Sequence, residues 1–524
     1  MPAATILTKA DRAGFAREGD GVVMLSFAVY SNGAPATGVN LNGAYLIGSD
    51  DVPLRAELTF KDGVITCKKR STGPAGLGLL WPVSDVGTIL LETVRLLERK
   101  QPYILSLELA RGRLMRINQK LEEWGLLNLE QNEARFAEMN RGRETLITAL
   151  QADTPAQAAE RGEKALAASV GAGESIAGFQ AEASLMRRKQ AGAWPKRLFG
   201  CSVHLDSPQD LLPKRLSGAF DFISVPFIWR DIEPSEQTFN WKPLDALVET
   251  IYKMRMPMKG SSLLSFHERY VPPWLVRLGY DFDAIRDLAF EHARRVISRY
   301  GQYIQTWDVI SGIHAYNCFN FTFEQIIELT RMAAALTKQT LPRSTVIVDL
   351  VAPWGEYYAR NQRTIPPLLY ADMVTQSVAH FDAFGLQFRF GPGIDGMYVR
   401  DMFQISSQLD QFARMGKPVH ITAVEVPSEA ASGEPSNGAR LDGGSWHGSW
   451  SESVQGEWLR EFVQIALSKP FVDSFAWHHV ADNAKRMVPF GGLLRPDFSP
   501  KPAFQQWLKL RSEILGTGRR GEGG

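Results

Sequence analysis

From residue 193 to residue 512 the chain alternates apolar strand-like runs with amphipathic helical stretches, a rhythm that few folds can satisfy. The strand-like runs are FGCSVH (199–204), FDFISVPF (220–227), PMKGSSLLS (257–265), IQTWDVI (304–310), STVIVDL (344–350), AFGLQFRF (383–390), PVHITAVEV (418–426) and DSFAWHHV (473–480). Helical stretches such as DAIRDLAFEHARRVISRYG (283–301) and FEQIIELTRMAAALTKQ (323–339) stand between most of them. Eight such strand–helix units are what a (β/α)8 barrel of the TIM type requires. The expected fold class is therefore α/β, with the barrel at residues 193–512.

What precedes the barrel has a different grain. Residues 1–95 hold short β-type runs broken by turn signals. VVMLSFAVY (22–30) ends at SNG and AYLIG (44–48) at SDD, while AELTF (56–60) and VITCKK (64–69) flank the hairpin pair Asp62-Gly63. Together they predict a small β-sandwich of about six strands. It could serve as a sugar-binding module or as a structural cap, and no aromatic-rich face on its strands argues for the first. Residues 96–192 switch to apolar positions at helical spacing with interleaved charge, as in ILSLELARGRLMRINQKLEEWGLL (104–127). Asp153-Thr154-Pro155 marks a helix break and restart. Two or three long amphipathic helices are expected here, forming a packing arm, with partner binding or oligomerisation as the other use. A tail at 513–524, ending GTGRRGEGG, is expected to be disordered.

Bulk properties exclude more than they select. The 524 residues carry 58 Lys+Arg against 57 Asp+Glu, a formal net charge of +1, so electrostatics favours neither nucleic acid nor an anionic membrane surface. The longest apolar runs are too short to span a bilayer. MPAATILTKADRAGF lacks the basic-then-apolar pattern of a secretory signal. Cys67, Cys201 and Cys318 are too scattered for a disulfide framework or a zinc pattern, and a reducing cytoplasm is the expected setting.

Several motifs follow one another through the barrel region: WRDIEPSEQTFNW (229–241), KGSSLL with PPW (259–264 and 272–274), TWDVISGIH (306–314), FGLQFRF (384–390), KPVHITAVEV (417–426) and LLRPDFSPKPAFQQW (493–507). In this order they resemble the strand-end motifs of glycoside hydrolase family 10, the xylanase family. The resemblance covers most of residues 193–512 and nothing before them. It implies a TIM barrel acting on a β-linked polysaccharide or oligosaccharide. It also implies a Glu acid/base closing W-D-V-(V/I)-N-E and a Glu nucleophile in I-T-E-L-D. Here those two positions fall on Gly312 and Ala423. The family's second-strand Glu-Asn and Lys align with Ser224, Val225 and Ile228, and its sixth-strand His with Arg389. Its third-strand His aligns with Ser261, or through a one-residue slip with His267. Family catalysis sets two carboxyls across the scissile bond, about 5–5.5 Å apart for retention and about 6.5–9.5 Å for inversion. Neither motif supplies one.

Displaced groups are the alternative. Residues i and i+2 of a strand share a face roughly 6.5 Å apart, so Glu425 is the candidate base behind the gap at Ala423. An acidic residue at that position also serves in the family as an orienter. His314, with His267 or Glu356 in its place, is the candidate acid. Sugar rings have apolar faces and polar rims, which selects Trp446, His447 and Trp450 with Gln455 in GGSWHGSWSESVQGEW (443–458). Trp477, His478, His479 and Asp482 in WHHVADN (477–483) join them as binding candidates, as do Gln387, Arg389, His267 and Glu356. Clustered His and Asp are also metal donors, but no spacing such as H-x3-H occurs, so no metal and no cofactor is expected. The expected partner is a carbohydrate ligand, without nucleic acid or membrane; nothing speaks to oligomeric state. Two functions stay open: a hydrolase with a remodelled site, or a non-catalytic carbohydrate-binding pseudo-glycosidase.

Overall fold

Short runs of alternating polarity open the chain and pair into sheets in the computed structural model, which describes residues 23–127, 134–192, 194–277, 279, 281–377, 380–430 and 440–515. The strands are β1 (Val23–Ala28), β2 (Tyr30–Ser31), β3 (Ala34–Pro35), β4 (Tyr45–Ile47), β5 (Pro53–Leu54), β6 (Ala56–Lys61), β7 (Val64–Lys69), β8 (Gly76–Val83), β9 (Gly87–Glu92) and β10 (Tyr103–Ile104). They form two four-stranded sheets, ordered β10-β1-β7-β6 and β5-β4-β8-β9, with β2-β3 as a separate hairpin. Asp62 and Gly63 both take positive φ, 51° and 77°. That is the two-residue turn whose twist matches the strands it joins, and Lys61 pairs with Val64 across it. The second sheet does not alternate: β4 and most of β8 are buried on both faces. Its outer face, with Tyr45, Ile47, Leu80 and Leu90, packs on Ala359 and Tyr398 of the barrel.

Three helices follow: α1 (Leu105–Glu123), α2 (Ala134–Leu150) and α3 (Pro155–Gln190). Residues 128–133, inside the expected helical stretch, lie outside the described residues, as does the tail beyond Leu515. Thr154 caps α3, its side chain accepting from Gln157 N, and Pro155 supplies a first-turn residue that needs no donor. The 36 residues of α3 run about 54 Å. Small residues let its neighbours approach closely: a side chain at Gly162 or Gly173 would run into Ser106 or the Arg113 guanidinium of α1. The arm also packs on the barrel helices Met402–Ala413 and Glu452–Ser468. Buried polar links hold it there: Arg113 pairs with Asp401 at 2.9 Å, and Arg188 donates to the carbonyls of Leu467, Lys469 and Val472.

Eight parallel strands then close the barrel: β11 (Phe199–Ser202), β12 (Phe222–Pro226), β13 (Met258–Ser261), β14 (Ile304–Ser311), β15 (Thr345–Leu350), β16 (Ala383–Arg389), β17 (Val419–Glu425) and β18 (Val472–Trp477). Each pairs with the next, and β11 pairs with β18. Hydrogen bonds from Leu90 N to Val399 O and from Ser445 N to Thr88 O tie β9 to the loops beyond β16 and β17. The closing helix Pro502–Leu515 takes in residues 513–515 of the segment expected to be disordered. Among the described residues no helix is long and apolar enough to cross a membrane.

Candidate active site

Parallel strands of a barrel leave their C-terminal ends on one face, where short loops can hold side chains without disturbing the core. A narrow pocket open to solvent lies there over the ends of β13–β18. Its wall includes Ser261, Ser311, Gly312, Gln387, Arg389, Thr422, Ala423 and His478, with His267, Tyr270 and Tyr316 from the loops. Of the sequence candidates, Gln387, Arg389, His267 and His478 therefore share one wall with the two altered motif positions. Among the described residues no Asp or Glu lines it. Gly312 holds φ of +66°, and a Cβ there would stand 3.0 Å from Val351 Cγ2. Gly312 is thus set in a backbone conformation suited to glycine.

Beneath this wall lies a polar network that sequence reasoning missed. Asp349, at the end of β15, accepts from Ser311 Oγ at 2.5 Å, Gln387 Nε2 at 2.7 Å and Thr422 Oγ1. Burial holds its carboxyl above the ordinary carboxylate value, against those three donors. Deeper in the barrel Lys259 pairs with Asp308 at 2.9 Å. Burial, partly offset by Lys259, pushes Asp308 up to about 7. The available signal was an acidic residue inside an apolar strand run, as in VIVDL and TWDVI.

The candidate catalytic pair sits elsewhere. The register of β17 slips between Ile421 and Val424, and Glu425 is covered by its cross-strand neighbour Arg389 and the Gly491 backbone. Its carboxylate is fully buried, bonded through Oε1 to His479 Nδ1 and 3.5 Å from Arg389 Nε through Oε2. It does not reach the pocket wall, so it cannot meet a water beside Ala423. His314 is also fully buried. Its Nε2 accepts from Val351 N at 3.2 Å, so its Nδ1 carries the proton and donates to Tyr357 Oη at 2.7 Å. Burial pushes this imidazole down to about 3, so it is neutral, and its one N–H is held by Tyr357. Glu356 is buried against Arg400 Nη2 at 2.6 Å. Asp482 pairs with Lys501 at 2.7 Å, and Trp477 is buried, donating to Gly491 O. None of the three lines the pocket.

The largest correction concerns the aromatic segment after β17. Trp446 is 2 % exposed and donates to Glu174 of α3 at 2.8 Å; His447 Nε2 meets the other Glu174 oxygen at 2.7 Å. Trp450 is buried and donates to Gly444 O, and Gln455 donates to Val426 O. Trp446 and His447 thus join the barrel to the arm, Trp450 and Gln455 are held within the barrel's own loops, and none of the four lines the pocket. Burial raises the Glu174 carboxyl, but the hydrogen bond and charge of His447 outweigh it and bring it below its ordinary value. The same hydrogen bond raises His447.

A family model described as glycosyl hydrolase family 10 matches residues 227–330, from the end of β12 past Gly312. That stretch of the barrel is similar to family 10. Among solved structures, the fold is similar to a GH10 endoxylanase from a sugarcane soil metagenome, at 17% identity over 60% of this chain and 97% of that one, with a TM-score of 0.46. Xylanase 10B from Thermotoga petrophila RKU-1, in complex with xylobiose, is similar at 17% identity, covering 63% of this chain and 96% of that one, with a TM-score of 0.45. The GH10 from Paenibacillus barcinonensis stands at 16% identity, 64% and 98%, with a TM-score of 0.46.

Proposed function

We propose that this family 10-like barrel binds a carbohydrate and does not cleave it by the paired-carboxylate route. The observation that carries this reading is the pocket wall, which among the described residues offers hydroxyls, an amide, imidazoles and guanidinium but no carboxyl. The usual route of glycoside hydrolysis, retaining or inverting, sets two carboxyls across the bond. Glu425, the nearest acidic side chain to Ala423 along β17, has its oxygens turned to His479 and Arg389. Binding chemistry is present all the same. Tyr270 and Tyr316 offer ring faces to the apolar side of a sugar, while Ser261, Ser311, Gln387 and Thr422 suit its hydroxyl rim.

The test pairs turnover with binding. Purified full-length protein is incubated with β-1,4-xylan, mixed-linkage glucan and aryl glycosides, and the matching oligosaccharides are titrated by calorimetry. Binding without release of reducing sugar is expected, weakened about 10-fold in Gln387→Ala through loss of one polar contact. Turnover above the buffer blank would sink the non-catalytic reading. Turnover that also vanishes in Glu425→Gln would make Glu425 the base after all.

A further inference from the structure

Three imidazoles and a carboxylate meet where the ends of β11, β17 and β18 converge. Glu425 closes β17, His478 and His479 follow Trp477, and His204 lies two residues past Ser202. One donor atom each from Glu425, His478 and His479 lie within 4.8 Å of one another. The His204 ring centroid is 4.8 Å from that of His479 and 6.2 Å from that of His478. His204 Nε2 is buried without a hydrogen-bond partner, and Glu425 Oε2 has no hydrogen bond, only the Arg389 guanidinium 3.5 Å away. Leaving such atoms unpaired costs free energy that an apolar side chain in the same space would avoid. The cluster therefore lacks a partner that uses its lone pairs.

We propose that Glu425, His478, His479 and His204 bind a divalent transition-metal ion, with zinc the best match. Imidazole nitrogen and carboxylate oxygen bind zinc at about 2.0–2.2 Å, which in a tetrahedron sets neighbouring donors about 3.4 Å apart. Drawing donors in from 4.8 Å takes side-chain shifts of about 1 Å. Nitrogen donors argue against magnesium or calcium, which take oxygen. Arg389 stands 3.5 Å from Glu425 Oε2 and leaves Oε1 for the ion in place of His479. Its charge opposes the ion and weakens the site relative to one without a neighbouring cation. The sequence carries no metal spacing because the donors come from three strand ends, and only His478 and His479 are adjacent. His478 also lines the pocket, which puts the ion beside whatever is bound there. The inference goes beyond the carbohydrate-binding reading and does not depend on it, since the ion is tested alone.

The experiment uses full-length protein stripped with chelator and titrated with Zn2+ by calorimetry, and with Co2+ followed by visible absorption. One equivalent per chain is expected, with the intense d–d bands of a low-symmetry, nitrogen-ligated Co2+ site. His479→Ala and Glu425→Gln should each weaken binding at least about 10-fold, while His447→Ala, far from the cluster, should leave it unchanged. Absence of stoichiometric uptake, or a Co2+ spectrum of the hydrated ion, overturns the proposal. So does uptake that survives both His478→Ala and His479→Ala. The cobalt spectrum of the unsubstituted protein decides the matter even where a variant does not fold.

Discussion

Residues 443–450 and the wall over β14–β17 both gather rings and hydrogen-bonding groups, but they meet different neighbours. The first segment turns Trp446 and His447 onto Glu174 of α3, so its polar atoms are spent inside the protein. The second holds its polar groups from below, through Asp349, and leaves the faces of Gln387, Arg389 and His478 open to the pocket. Composition alone does not separate a ligand platform from a seam between folded parts. The position of the acidic partner does: buried beneath the wall in one case, capping the rings in the other.

Four measurements would break or sharpen that contrast. Trp446→Ala should have the largest effect, about 3–5 kcal/mol lost in denaturant unfolding, with carbohydrate affinity unchanged. A fall in affinity with the fold intact would return the segment to the ligand site. Asp349→Ala leaves three donors without their acceptor and should cost about 1–3 kcal/mol. It should also weaken carbohydrate binding in calorimetry, as Ser311 and Gln387 lose their orientation; unchanged binding would separate the network from the wall. Gly312→Ala places a side chain at positive φ against Val351 and should cost about 1–2 kcal/mol in thermal or denaturant unfolding. The smallest effect is the pH dependence of the seam. His447, raised above its ordinary 6.5, contributes fully below that value and loses its contribution as pH rises through the raised one. Glu174, lowered from 4.5, contributes above that value and loses it as pH falls through the lowered one. The pair should therefore stabilise most between about pH 4.5 and 6.5, and unfolding across that range in His447→Gln should lose the maximum.

The barrel was legible because eight buried parallel strands leave an unmistakable run of apolar segments, and Gln387 and Arg389 followed from the motif FGLQFRF near the end of one of them. The hairpin at Asp62-Gly63 was legible because few residue pairs tolerate two positive φ values in succession. What escaped were contacts between segments remote in sequence. Glu174 lies in a helix with no resemblance to the barrel family, so nothing near Trp446 announced its partner. Glu425 was placed by strand alternation, but the register of β17 slips before it and Arg389 and Gly491 cover it, which no alternation rule supplies. Asp349 was passed over because one acidic residue at the end of an apolar run looks like a strand terminus.

The bond between Thr88 and Ser445 joins residues 357 positions apart. During synthesis the β9 edge leaves the ribosome long before the loop that will cover it, and the matching face of α3 waits nearly as long for Trp446. Until the loop after β17 emerges, an open strand edge and the Glu174 face of α3 stand uncovered. The nascent chain must be kept from neighbours through most of its own translation, which makes the seam a place where a late-acting substitution would first show as poor yield from the cell.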